Sequence, residues 1–259
     1  MRIETATITT NYELSGPKNA PVVMLSHSLG SNLHMWDPQM TALEAKYQVL
    51  RYDTRGHGAS DAPVGAYTLD QLVSDAVALM DALGIKKVNF VGLSMGGILS
   101  LLMSTRLTVQ GVVAMSTPYK LPDDPRLRKI DWIAKIVTYM PKSDEAPGAS
   151  WFDKEAFKEH ISYPMNPVRS IGQLNQLLGE MRVALPKINV PVLLMHSKDD
   201  KYVSPENIEL IFADLKNASD KTKLFVTGSG HVVTRDAARR QVFEAALEFI
   251  QRVENRVES

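Results

Sequence analysis

The six residues Gly92-Leu93-Ser94-Met95-Gly96-Gly97 constrain this chain more than any other stretch. The apolar run Val88-Asn89-Phe90-Val91 leads into them, and a helical pattern over about 95–106 leads away. A serine at such a junction sits in a turn so tight that side chains flanking it would collide. The glycines remove those side chains. The stretch therefore predicts a strand, a sharp corner and a helix, with the Ser94 hydroxyl lifted clear of the sheet. It also sets Ser94 at a helix N-terminus, whose free N–H groups favour negative charge. Without its surroundings, the same stretch is only a Gly-rich corner with a helix-capping serine.

The alternation of strand and helix continues through most of the chain. Short apolar runs occur at 22–25, 47–52, 88–91, 110–115, 190–195 and 223–226. Runs of this kind suit strands buried on both faces of a parallel sheet. Helical spacing lies between and after them, at 69–83, 95–106, 205–215 and 235–253. This order predicts an α/β fold: a mostly parallel central sheet flanked by helices, with right-handed crossovers. The rhythm breaks between 117 and 185. Helical patterns at 126–140 and 168–185 flank a looser stretch holding Trp151, Phe152, Phe157, Tyr163, Pro164 and Pro167, with no strand pattern. The expected organisation is a core domain of 1–117 and 186–259 carrying an inserted helical cap, 118–185, over the sheet's C-terminal edge. Open α/β sheets bind ligands at that edge. The plainer alternative is a pair of surface helices packed elsewhere.

Composition narrows the chemistry. At 259 residues and 44% hydrophobic, the chain suits one domain with its own core. Cysteine is absent, which removes disulfides, thiolate metal sites and a cysteine nucleophile. Lys+Arg and Asp+Glu both number 29, so no basic stripe points to nucleic acid. The first sixteen residues hold no apolar signal core, and no apolar run approaches ~20 residues. A cytoplasmic location without integral membrane association is expected; oligomeric state is not legible.

In strand–turn–helix context, G-x-S-x-G reads as a nucleophile elbow. Serine is a weak nucleophile and needs a base. Of six histidines, His231 is the best placed, in Gly228-Ser229-Gly230-His231 between the last strand run and the final helix. The acid that orients it should follow the run 190–195, where Asp199 and Asp200 are adjacent. Asp200 is favoured, since Val203 and then Ser204-Pro205 follow it in the pattern frequent for this loop. Asp199 stays as the alternative, otherwise a turn-forming neighbour. An oxyanion hole needs two N–H donors. One is the backbone of Met95, directly after the serine. The other lies in Ser26-His27-Ser28-Leu29-Gly30-Ser31, with Leu29 chosen and Ser28 the runner-up, because a serine replaces the usual glycine at 28. Such a donor typically contributes about 3–4 kcal/mol to the transition state. Asp53, Arg55 and His57, in the segment 51–60, read as structural groups of a Gly-rich loop, bonding each other and nearby backbone. A divalent metal is poorly supported, since no paired His motif sits on a helix face.

Together these residues resemble the α/β-hydrolase superfamily, whose chain order is also Ser, Asp, His. The resemblance is divided. Ser26-His27-Ser28-Leu29-Gly30, Met35-Trp36-Asp37-Pro38-Gln39, Arg51-Tyr52-Asp53-Thr54-Arg55-Gly56-His57-Gly58 and the elbow resemble the 3-oxoadipate enol-lactonases. From about Val109 onward, Gly111-Val112-Val113-Ala114-Met115-Ser116-Thr117-Pro118, the short cap and Ser229-Gly230-His231-Val232-Val233-Thr234-Arg235-Asp236 resemble bacterial carboxylesterases and monoacylglycerol lipases. The rear half implies a small lid over an acyl pocket and hydrolysis of short- to medium-chain esters, without a cofactor. The front half implies lactone hydrolysis, for which a cap cation among Arg126, Arg128, Lys129, Arg169 and Arg182 would meet a substrate carboxylate. A third expectation, from another class, is a non-catalytic ligand receptor on the same fold.

Overall fold

The computed structural model describes residues 1–141 and 148–257. Its strands are β1 (Arg2–Glu4), β2 (Thr9–Ser15), β3 (Val22–Ser26), β4 (Gln48–Tyr52), β5 (Val88–Leu93), β6 (Val109–Met115), β7 (Tyr139–Pro141), β8 (Met165–Pro167), β9 (Val192–Ser197) and β10 (Lys221–Val226). Its helices are α1 (Asp37–Glu44), α2 (Leu69–Ala82), α3 (Met95–Met103), α4 (Ile130–Ile133), α5 (Lys154–Lys158), α6 (Val168–Ala184), α7 (Glu206–Asp214) and α8 (Arg239–Val257). Eight strands form one sheet in the order β1-β2-β4-β3-β5-β6-β9-β10. Every pairing from β4 to β10 is parallel, while β2 is antiparallel to both β1 and β4. This is the α/β-hydrolase fold.

The strand runs are continuously apolar because both sheet faces are covered. Successive side chains point to opposite faces. Met24, Leu50, Phe90, Val112 and Leu194 join one buried cluster with residues of α2, α3, α6 and α7. Val23, Val49, Val91, Val113 and Leu193 join the other, with residues of α1 and α8. Thr68 and Gln71 start α2 with a reciprocal capping box, both bonds present.

Three elements depart from the sequence expectation. The first is β1–β2, whose Thr-rich alternation holds no apolar run; in β2 only Thr10 and Tyr12 are buried. That is how an antiparallel strand with one face covered reads. The second is the expected helix at 126–140. It is a 3₁₀ turn, Pro125–Lys129, and a single turn of α4, after which the chain extends. Tyr139 pairs with Pro167 and Pro141 with Met165, so β7 and β8 satisfy one another's backbone. Val137, one residue of the apparent helical stripe, is exposed, as is its neighbour Ile136. The third is the last helix, which begins at Arg239 rather than 235, because Arg235 and Asp236 donate to the Val232 carbonyl in a turn. Among the described residues no helix is long and apolar enough to cross a membrane.

Candidate active site

The corner at Ser94 is built by close packing. A Cβ on Gly92 would lie 2.0 Å from the Gly96 carbonyl oxygen, and one on Gly96 would lie 2.1 Å from the Ser26 carbonyl oxygen. Neither site admits a side chain. Ser94 itself takes φ 55° and ψ −112°, a strained conformation for a non-glycine residue. It is held there by its N–H bond to Met115 O at 2.8 Å, while its carbonyl accepts from Ile98 N at 3.1 Å to begin α3.

β5, β6, β9 and β10 are adjacent and parallel, so their carboxyl ends share one edge. Ser94 follows β5, Asp200 follows β9 and His231 follows β10. His231 Nδ1 donates to Asp200 Oδ2 at 2.8 Å. The other oxygen, Oδ1, accepts from the amides of Tyr202 at 2.9 Å and Val203 at 3.0 Å. Buried His196 adds a second imidazole: its Nε2 is 3.1 Å from Asp200 Oδ2 and 3.0 Å from Val203 O. Burial alone would raise the Asp200 pKa, but His231, His196 and the Val203 amide together hold it well below the usual carboxylate range. Asp199 points elsewhere, accepting from Gly228 N at 2.7 Å. Of the two neighbours, Asp200 is the one that faces the imidazole.

The loop after β3 is clamped from several sides. Ser28 N donates to Met35 Sδ at 3.3 Å, and Gly30 N donates to His57 Nε2 at 3.2 Å. The amides flanking Leu29 are thus both engaged, including that of the runner-up Ser28. His27 is fully buried; its Nδ1 donates to Ser28 O at 2.8 Å and its Nε2 accepts from Thr54 N at 2.9 Å. Burial and the neighbouring His57 push its pKa down to about 3. Sequence reasoning gave Tyr163 no part here. Its N–H donates to Gly30 O at 2.8 Å, its hydroxyl accepts from Gly58 N at 2.9 Å, and its ring stacks on His57 with centroids 6.1 Å apart. Ser31 Oγ adds a bond to Ile161 O at 3.1 Å. No local pattern announces these contacts, which cross from one loop to a distant one.

The chain matches the family model described as alpha/beta hydrolase fold over residues 21–146, and that of the prolyl oligopeptidase family over residues 127–256. It is 28% identical over 257 residues to 3-oxoadipate enol-lactonase 2 of Acinetobacter baylyi, covering 95% of this chain and 94% of that one. It is 30% identical to RutD of Stutzerimonas stutzeri, which its name assigns provisionally to carbamate hydrolysis, over 80% of this chain and 85% of that one. The crystal structure of a Paleococcus ferrophilus monoacylglycerol lipase superposes with TM-score 0.82 at 21% identity, covering 94% and 99% of the two chains, a likeness of fold alone. This chain belongs to the α/β-hydrolase family. The enol-lactonase likeness is not confined to its front half, since the alignment with the Acinetobacter protein runs nearly end to end.

In this α/β hydrolase a cavity of about 280 Å³ opens beside the elbow, with Leu29 and Met95 in its wall. Leu69, Leu72, Leu174 and Leu177 make it apolar; Asn166, Arg169, Ser170 and Gln173 add a polar strip at the start of α6. Among the described residues, none gives buried Gln173 Nε2 a hydrogen-bond partner there. Among the cap cations, Arg169 lines the cavity, whereas Arg182 bonds Tyr119 O at 2.8 Å and lies over its ring. Lys129 is exposed, and the side chains of Arg126 and Arg128 lie outside the described ones. In the segment 51–60, Asp53 accepts from Leu33 N, Ala59 N and Asn11 Nδ2, and Arg55 grips buried Asp75 through two 2.7 Å bonds, while Thr54, Arg55, Gly56 and His57 also line the cavity. The expected bonding of these ionic groups to backbone is found, but Asp53 and Arg55 take separate partners.

Proposed function

We propose that this protein hydrolyses carboxylic esters of short to medium acyl chains, monoacylglycerols among the candidates, through an acyl-enzyme on Ser94. His231 Nε2 takes the Ser94 proton as the oxygen attacks the carbonyl carbon. The Met95 and Leu29 amides receive the negative charge on the carbonyl oxygen. His231 then protonates the departing alcohol, and water repeats the sequence to release the acid. Asp200 holds the imidazole tautomer and stabilises its positive form. The reading needs no metal or cofactor. Residues 118–185 act in it as a cap on a core of 1–117 and 186–259. The observation that carries the reading is the 2.8 Å bond between His231 and a buried, ionised Asp200 on the strand edge that also bears the strained Ser94. A cavity of about 280 Å³ favours a short acyl group over a long one, since ligand pockets commonly run to about 300–1,000 Å³.

A second reading is hydrolysis of an enol-lactone bearing a carboxylate. The end-to-end likeness to an enol-lactonase and the position of Arg169 in the cavity wall favour it. One experiment addresses both: rates on p-nitrophenyl esters of increasing acyl length, one monoacylglycerol and the enol-lactone, with Ser94→Ala as control. Turnover retained by Ser94→Ala overturns the mechanism. Labelling of Ser94 by a fluorophosphonate without multiple turnovers on any of these substrates favours a binding protein instead.

A further inference from the structure

Asp236 is a carboxylate sealed from solvent, at 0% exposure, and among the described residues no cation pairs with it. A buried charge of this kind needs strong partners. Its partners are backbone amides from three places in the chain. Oδ2 accepts from Gly230 N at 2.6 Å. Oδ1 accepts from Asp153 N at 2.7 Å and Ala237 N at 2.8 Å. Phe152 N reaches both oxygens, at 3.0 and 3.3 Å. Gly230 immediately precedes His231, and Phe152-Asp153 belong to the middle of the segment 118–185. One carboxylate therefore ties the loop of the proposed base to the proposed cap. The two segments also touch directly, since a Cβ on Gly230 would lie 2.3 Å from Ser150 O. Outside this contact, Arg239 Nη1 bonds Asp153 Oδ2 at 2.7 Å and the carbonyls of Arg235 and Asp236 at 3.3 and 3.2 Å.

We infer that Asp236 is a positioning residue for the proposed ester hydrolysis, aligning His231 by docking its loop onto the segment around Phe152. The inference rests on His231 acting as the base. The chemistry of the site makes it specific. A carboxylate offers only acceptors, whereas an asparagine of the same shape keeps one oxygen and turns an NH2 toward the amides on the other side, Gly230 N or those of Asp153 and Ala237. Asp236→Asn therefore keeps the volume and breaks the clamp. The Asp200–His231 bond survives in that variant, but the imidazole is no longer held at a fixed distance from the Ser94 hydroxyl. Misplacement of a catalytic group by about 1 Å costs about 100-fold, so a partial shift should cost about 10- to 100-fold in kcat.

The test measures kcat, KM and the pH profile on p-nitrophenyl butyrate for Asp236→Asn, per active site titrated with a fluorophosphonate, beside Ser94→Ala. The expected result is a lower kcat with KM nearly unchanged and a displaced acid limb. A merely structural role would lower the melting temperature and leave kcat per titrated site and the pH profile alone; that result overturns the inference. Turnover retained by Ser94→Ala instead overturns the underlying mechanism, so the two failures are distinct. Should Asp236→Asn not fold, Arg239→Met decides. It releases Asp153 from α8 at a partly exposed ion pair, and the loss of such a pair should lower kcat about two- to fivefold in the same sense. An unaltered kcat and pH profile in folded Arg239→Met then overturns the inference.

Discussion

The backbone N–H of Tyr163 donates to the carbonyl of Gly30 at 2.8 Å, so a residue far along the chain holds the loop whose amide is proposed to meet the oxyanion. The Tyr163 hydroxyl continues the tie by accepting from Gly58 N. Tyr163→Phe deletes that second bond and keeps the ring on His57. A hydrogen bond is worth about 0.5–1.5 kcal/mol net, so kcat should fall about two- to tenfold with little change in KM. Steady-state kinetics on p-nitrophenyl butyrate check this, and an unchanged kcat would mean the loop keeps its place without the hydroxyl.

The two neighbouring aspartates should separate sharply in activity. Asp200→Asn replaces the ionised partner of His231 and permits the wrong imidazole tautomer, so kcat should drop by about 10⁴-fold while the protein stays folded. Asp199→Ala removes one acceptor for Gly228 N and should cost about tenfold or less. Comparable losses in the two variants, measured as single-substrate rates on folded protein, would contradict the assignment of Asp200 as the orienting acid.

Stability should depend on pH through His27, whose pKa is lowered from 6.5 to about 3. The fold accommodates the neutral ring, with Nδ1 donating and Nε2 accepting. Well above pH 6.5 neither the folded nor the unfolded chain protonates it, and its contribution is full. As pH falls from there toward 3, the unfolded chain takes up a proton that the fold refuses. Each bound proton of difference removes about 1.4 kcal/mol per pH unit. Urea denaturation across about pH 7.5 to 4.5 should show this slope, and His27→Asn should reduce it by about one proton. An equal slope in both proteins would show that the loss comes from other groups.

Arg169 offers a charge test of the pocket. Arg169→Met should leave the rate on p-nitrophenyl butyrate within about twofold, since no charge is involved. If the substrate carries a carboxylate, the rate on the enol-lactone should fall about 10- to 100-fold, as expected for a lost hydrogen bond to a charged group. Equal, small effects on both substrates would make Arg169 a solvated surface residue that borders the cavity.

Much of this molecule was legible without coordinates because its signals are local. Parallel strands buried on both faces appear as unbroken apolar runs, α2 carries its apolar stripe and its capping box in consecutive residues, and the elbow needs its glycines next to its serine. Candidates for Ser, Asp and His were therefore readable from their places after strand runs. By contrast, β1 and β2 form the antiparallel side of the sheet, and in β2 only Thr10 and Tyr12 are buried, so no apolar run marks them. The stretch 126–140 has helical spacing, yet pairing of Tyr139–Pro141 with Met165–Pro167 draws it into extended backbone.

The sequence by itself determined the strand–turn–helix corner at Ser94, the order of the core elements and the short set of residues from which an acid and a base could be drawn. Tertiary structure decided which aspartate faces His231, which cation borders the cavity, and that Tyr163 and Asp236 tie distant loops together. The reason is physical. Periodicity and turn chemistry act between neighbours in the chain, whereas these contacts join residues far apart in it, and the ties of Tyr163 and Asp236 end on backbone N–H and C=O groups, which nearly every residue type carries alike. Such groups leave no mark in the pattern of side chains until the fold brings them within hydrogen-bond reach.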